Sequence, residues 1–249
     1  MSGHSKWSSI KHKKGAKDAK RGVLFTKLAR AIQVAAREGG PDPAGNATLA
    51  TAIEKAREAS MPKDNIERAI AKGTGAGADA ETFEAVTYEG YGPGGVALLV
   101  DALTDNRNRT GSEIRHLFSK HAGNLGEPGS VAWIFEKKGE LVVDAERYSE
   151  DDLFPAIDAG AEDVNLDENV YEVVTEPAEY SQVKKALEDA GVEFESADLT
   201  MRPTTQVPVE EAQVGTLMRL IEALEDNDDV QAVHANFDVD AEVLERATA

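Results

Sequence analysis

Gly90-x-Gly92-x-x-Gly95 carries the spacing of a dinucleotide-binding loop, in which glycines let the backbone approach a pyrophosphate at the start of a helix. Here the following residues, Val96-Ala-Leu-Leu-Val100, continue as a strand, and Pro93 interrupts the loop. The segment therefore predicts a glycine-rich connection between two strands, and no cofactor. His116 and His121 are five apart, off the i, i+4 spacing that puts two metal ligands on one helical face. His4 and His12 lie in the N-terminal tail, and His234 in a predicted strand. Asp226-Asn-Asp-Asp229 lacks the glycine and closing glutamate of a calcium loop and predicts a solvated helix–strand turn. The sequence holds no cysteine, no Gly-x-Ser-x-Gly elbow and no Walker loop. The expectation is a chain with no catalytic, cofactor or metal residues, and not an enzyme.

The residues that do point to a chemistry are cations. Lys6, Lys11, Lys13, Lys14, Lys17, Lys20, Arg21, Lys27, Arg30 and Arg37 stand against only Asp18 and Glu38 in residues 1–40, a local charge of +8. From Gly73 onward the charge is −27, within a chain of formal net charge −19. An acidic body repels nucleic acid, so this polarity predicts a basic arm that meets a polyanion locally and with strong salt dependence. Trp7 and His12 stand among the lysines. A base could stack on Trp7 while lysines hold phosphates, or Trp7 could fold back onto the helices as an apolar anchor. Asn106-Arg107-Asn108-Arg109-Thr110, before a predicted helix, suits phosphate beside free N–H groups. Its other reading is a loop whose arginines pair with nearby carboxylates.

These groups need elements to position them. A chain of 249 residues with 41% hydrophobic residues has material for more than one core. Its start is rich in lysine rather than apolar, unlike a secretory signal, and no apolar run approaches a membrane span, so a soluble cytoplasmic protein is expected. From about Ala16 a helix places Leu24, Leu28, Ile32 and Ala35 on one stripe, with Lys27, Arg30 and Arg37 opposite. Helices follow over about 44–59 and from Pro62 to Gly73, and 73–79 reads as a linker. Strands are predicted at 83–89, 96–103 and 131–135, with Thr110-Gly-Ser-Glu113 as a capping box opening a helix. Residues 136–202 read β-α-β-β-α-β, the split βαβ order, and a helix near 210–224 and a strand near 230–237 follow. The expected fold is α+β. It has an N-terminal three-helix domain with tail and linker (1–79), then two small α/β domains of ferredoxin-like, split βαβ type. One is formed by 80–135 with 203–241, and the other, 136–202, is inserted in it.

Four segments in order resemble the YebC family: Gly3-His-Ser-Lys-Trp-x-x-Ile-Lys-His-Lys-Lys14, Met61-Pro-Lys-Asp-Asn-Ile-Glu-Arg-Ala-Ile-Ala-Lys-Gly73, Tyr88-Glu-Gly-Tyr-Gly-Pro-Gly-Gly95 and Thr104-Asp-Asn-Arg-Asn-Arg-Thr110. The resemblance runs from Ser2 to about Asp240. It implies three domains and a place among bacterial proteins labelled probable transcriptional regulators, related to the mitochondrial translational activator of cytochrome c oxidase subunit one. The expectation is a non-enzymatic, DNA-binding regulator of transcription acting through its basic N-terminal region. The alternative is a ribosome-associated, RNA-binding factor that relieves translation at difficult sequences such as proline runs. The partner is then DNA or ribosomal RNA, held by residues 1–40 together with Arg107 and Arg109.

Overall fold

The computed structural model describes residues 18–75, 82–167 and 169–248. Three helices open it: α1 (Asp18–Gly39), α2 (Ala47–Glu58) and α3 (Lys63–Gly73). They bury Ile32, Ala35, Leu49, Ile53, Ala56, Ile66 and Ala69 against one another, as an apolar stripe on each helix requires. Leu24, expected on the stripe, stands 42% exposed, and the core begins with Phe25 and Leu28. Asn46 starts α2: its Oδ1 accepts from the Leu49 N–H, while its Nδ2 donates to the Ala35 and Gly40 carbonyls at 2.8 and 2.9 Å. One buried amide thus caps one helix and ties down the end of another. At Gly73 a Cβ would stand 2.3 Å from the Gln33 carbonyl oxygen, so α1 and α3 approach this closely only because a glycine is there.

A four-stranded sheet follows, built from β1 (Glu84–Tyr91), β2 (Ala97–Thr104), the short β3 (Asn124–Leu125) and, late in the chain, β9 (Val230–Ala235). Its order is β3-β1-β2-β9, so the β1–β2 hairpin is the centre. Helices α4 (Arg107–Lys120) and α7 (Glu211–Glu225) cover one face, packing Ile114, Phe118, Leu217 and Ile221 on Leu98 and Val100. The predicted capping box at Thr110 is displaced. The cap stands four residues earlier, at Asn106, whose Oδ1 accepts from the Arg109 N–H, which puts Thr110 inside the helix.

The second sheet holds β4 (Phe135–Asp144), β5 (Asp163–Asp167), β6 (Val170–Thr175) and β7 (Ser196–Pro203) in the order β5-β6-β4-β7, every neighbour antiparallel. Helices α5 (Phe154–Asp158) and α6 (Tyr180–Asp189) pack Ala156, Val183 and Leu187 on Leu141, Val143 and Val173. The strand expected at 131–135 is instead a single helical turn at Ala132–Ile134, and only its last residue, Phe135, enters β4, the first strand of the second sheet. Pairing overrides the polar Lys137-Lys138-Gly139 stretch, because β7 runs alongside it from Phe135↔Pro203 to Val142↔Ser196. The two-residue strands β8 (Val207–Pro208) and β10 (Phe237–Asp238) pair in parallel. A closing helix, α8 (Ala241–Thr248), lies beyond the last element expected and buries Leu244.

The three parts touch. Ala97 and Leu99, on the first sheet's other face, pack with Val131, Ile134, Phe135 and Met201 at the entrance to the second. The helices meet the second sheet through Lys55–Asp198 at 2.5 Å and through Lys184, which reaches Glu54 and Glu58 at 3.0 and 3.4 Å.

Candidate nucleic-acid interface

Of the residues expected to bind nucleic acid, Lys6, Trp7, Lys11, His12, Lys13, Lys14 and Lys17 lie outside the described residues, and so does the side chain of Lys20. Arg21 is exposed, its guanidinium 5.9 Å from the Phe25 ring centre. The remaining cations do not form one open face.

Lys27 Nζ donates to the Glu225 carbonyl, the last of α7, where a cation meets the negative end of a helix. Arg30 Nη1 bonds the Asp228 carbonyl at 2.5 Å and the Asp229 carboxylate at 2.6 Å, with its guanidinium 5.0 Å from the Phe83 ring centre. Arg37 Nη2 donates to the Phe83 carbonyl at 2.6 Å. The polar side of α1, expected to present cations outward, therefore docks these three onto the rest of the protein. Arg109 bonds Asp105 at 2.8 Å and Asp229 at 2.7 Å, and Arg107 lies 3.8 Å from Glu84. The arginines of the Asn106–Thr110 segment thus pair with carboxylates, the second reading of that motif.

Asp229 joins these contacts. Its Oδ1 accepts from Arg30, its Oδ2 from Arg109 and from Thr110 Oγ1 at 2.5 Å, and it is 3% exposed. The solvated helix–strand turn expected at Asp226–Asp229 holds at the exposed Asp226 and Asp228 and is corrected at Asp229, where arginines from distant elements arrive. Burial alone would raise the Asp229 pKa. The hydrogen bonds from Thr110 and Arg109 and the nearby charge of Arg30 outweigh it and hold the carboxyl below the usual range.

Glu89 is a second buried carboxylate, missed because nothing local marks it. Its oxygens accept from the Gly129, Val131 and Ala132 N–H groups at 2.6, 2.7 and 2.7 Å, fixing the loop that leads into β4. Burial opposes its charge, but these three donors lower its pKa. The loop presents Trp133, 72% exposed, whose Nε1 donates to the Ser130 carbonyl at 3.2 Å; Tyr91 Oη bonds the same oxygen at 3.0 Å.

Gly90 lies in β1, and Gly92–Gly95 forms the turn of the β1–β2 hairpin, with positive φ at Gly94 and Gly95. A strand follows it, so the chain does not pass from the glycines straight into a helix, as a pyrophosphate-binding loop requires. Among the described residues there is no group of three or more His, Asp or Glu placed to hold a metal ion, and no helix long and apolar enough to cross a membrane.

Two exposed cations share one side of α3. Arg68 and Lys72 are one turn apart and line a groove of 420 Å³ between α1 and α3, floored by Phe25, Met61 and Phe83. Arg68 bonds only within its own helix, to the Asp64 carbonyl at 3.1 Å and to Asn65 Oδ1. Sequence reasoning passed over this pair although it lies within the Met61–Gly73 segment; its i, i+4 spacing was the available signal.

A basic helical end carried on two acidic α/β sheets, one nested within the chain of the other, defines the class of protein. The chain belongs to the YebC family. The model of the TACO1/YebC N-terminal domain matches residues 5–76, and that of the TACO1/YebC second and third domain matches 83–237. A "Probable transcriptional regulatory protein" of Rubrobacter xylanophilus is 58% identical over 245 residues, covering 98% of each chain. One of Citrifermentans bemidjiense with the same name is 56% identical over 247 residues, 99% of each chain. The crystal structure of a conserved hypothetical protein, Aq1575, from Aquifex aeolicus is similar at a TM-score of 0.80 and 52% identity, over 90% of this chain and 92% of that one.

Proposed function

We propose that the chain is a cytoplasmic, non-enzymatic regulator of gene expression that binds nucleic acid through its basic N-terminal region. The observation that carries this reading is the charge polarity, +8 in residues 1–40 against −27 from Gly73 onward. A region of net positive charge releases the counterions whose loss drives binding to a polyanion, and residues 1–40 carry the largest such excess. The relatives' shared name, probable transcriptional regulatory protein, supports DNA as the partner. A second reading, an RNA-binding factor acting with the ribosome, is favoured by α1 itself. Its Lys27, Arg30 and Arg37 are engaged inside the protein, so α1 offers little basic face to a duplex groove.

Deleting residues 2–17 removes Lys6, Lys11, Lys13, Lys14 and Lys17 and leaves α1 in place. Affinity for DNA and RNA at fixed salt should fall at least tenfold, while the circular dichroism spectrum keeps its helical and strand content. Equal affinity of the shortened and full chains would refute the proposal. Comparing a duplex with a single-stranded RNA of the same length separates the two readings.

A further inference from the structure

We infer that the groove between α1 and α3 binds a single-stranded segment of nucleic acid, one unpaired base on its apolar floor and the adjoining phosphates on Arg68 and Lys72. This rests on the nucleic-acid reading and adds where, and in what form, the strand is held.

The walls state the chemistry. Among the described residues, Arg30, Arg68 and Lys72 line the groove and no Asp or Glu does, in a chain with 46 carboxylates. A described wall with three cations and no carboxylate, in so acidic a molecule, is matched in charge to an anion. The floor is not that of a site for a simple anion. Phe25, Met61 and Phe83 supply apolar and aromatic surface, and Asn65 and Gln33 supply amide groups able to bond the edge of a base. The volume, 420 Å³, lies within the usual range for small-ligand sites, about 300–1,000 Å³.

The cations divide by role. Arg30 is neutralised by Asp229 and lies over Phe83, which makes it part of the wall. Arg68 and Lys72 are exposed at the mouth on one face of α3, free to turn toward phosphate. The groove also continues. A second cavity of 280 Å³ shares Gln33, Lys72 and Phe83 with the first and runs on past Arg37 to Gly73–Gly75. Lys72 stands where the two meet, as a strand longer than one nucleotide would need. The walls are two helices in contact at Gly73 and Gln33, so the groove admits an unpaired strand and shuts out a duplex.

The test uses the full chain, with the double variant Arg68→Ala/Lys72→Ala. Both side chains are exposed, so the fold should survive, which a melting curve checks. Fluorescence anisotropy with an oligouridylate and with a duplex DNA of equal length should show about a tenfold loss for the single strand and less than twofold for the duplex. Uridine monophosphate should displace the oligouridylate, and inorganic phosphate or a polyglutamate peptide at equal concentration should not. Crosslinks from 5-iodouridine should fall in peptides containing Phe25 or Phe83. Unchanged binding by the double variant, or equal losses for strand and duplex, overturns the groove while leaving the N-terminal region's role to the 2–17 deletion. Displacement by phosphate or polyglutamate alone would reduce the site to an anion patch. If wild type binds neither probe, both readings fall.

Discussion

Asp229 shows how one side chain can hold two parts of a molecule together. Its two oxygens receive Arg30 from α1 and Arg109 and Thr110 from α4, with little exposure to water. Removing the carboxylate takes away the partner that Arg30 and Arg109 share and leaves them only the Asp228 carbonyl and Asp105, a larger loss than the net worth of the pair. Asp229→Ala should therefore destabilise the protein by about 3 kcal/mol in urea unfolding. Thr110→Val, which removes one hydroxyl donor, should cost about 1 kcal/mol. Acid should act through the same group. Asp229 and Glu89 both have folded pKa values below their ordinary ones, so their stabilisation is complete above the unfolded values of about 4 and is lost as pH falls through the lower folded values. Urea midpoints should hardly change between about pH 7 and 5 and drop toward about pH 3.5. The drop should be smaller in Asp229→Asn, and equal drops would remove Asp229 from the account.

At the scale of elements, the β1–β2 hairpin decides what Gly90–Gly95 does. Gly94 and Gly95 take positive φ to turn the chain, and a Cβ on Gly90 would stand 2.7 Å from the Asn124 carbonyl oxygen and from the Phe118 ring. These glycines serve the turn and the close packing of β3 and α4, and a strand, not a helix, follows them. Titration with NAD or ATP should leave the melting temperature unchanged, whereas a saturable rise would reveal a nucleotide site. The same hairpin was legible in the sequence, because a strand period on both sides of a Gly-Pro-Gly-Gly turn is local information. The unity of β4 was not, since its middle is polar and only the pairing with β7 carries it through.

For the molecule as a whole, charge is distributed so that binding and folding use different cations. Lys27, Arg30, Arg37 and Arg109 hold the parts together, and on the proposed reading the external anion meets residues 2–17 and α3 instead. The logarithm of affinity should fall linearly with that of salt concentration, by about 0.7 per phosphate contacted on a single strand and about 0.9 on a duplex. Deleting 2–17 should flatten that slope in proportion to the number of phosphates the tail neutralises. A variant of Lys27, whose bond is to Glu225, should keep the slope and lose stability instead. A slope unaltered by the deletion would place the phosphate-binding cations elsewhere.

The sequence by itself determined three short helices, the hairpin, the β-α-β-β-α-β stretch and the polarity of charge, because period, turn residues and composition are written within a few residues of each element. Its four motifs were enough to indicate the family. Only the tertiary structure decided which cations are spent. Arg30 meets a carboxylate 199 residues away and Arg109 one 120 residues away. It also decided that Asp229 and Glu89 are buried, that Leu24 is not, and that α1 and α3 leave a groove between them. A side chain's charge is set by its type, but its partner is set by where the rest of the chain returns, and no local pattern encodes that distance.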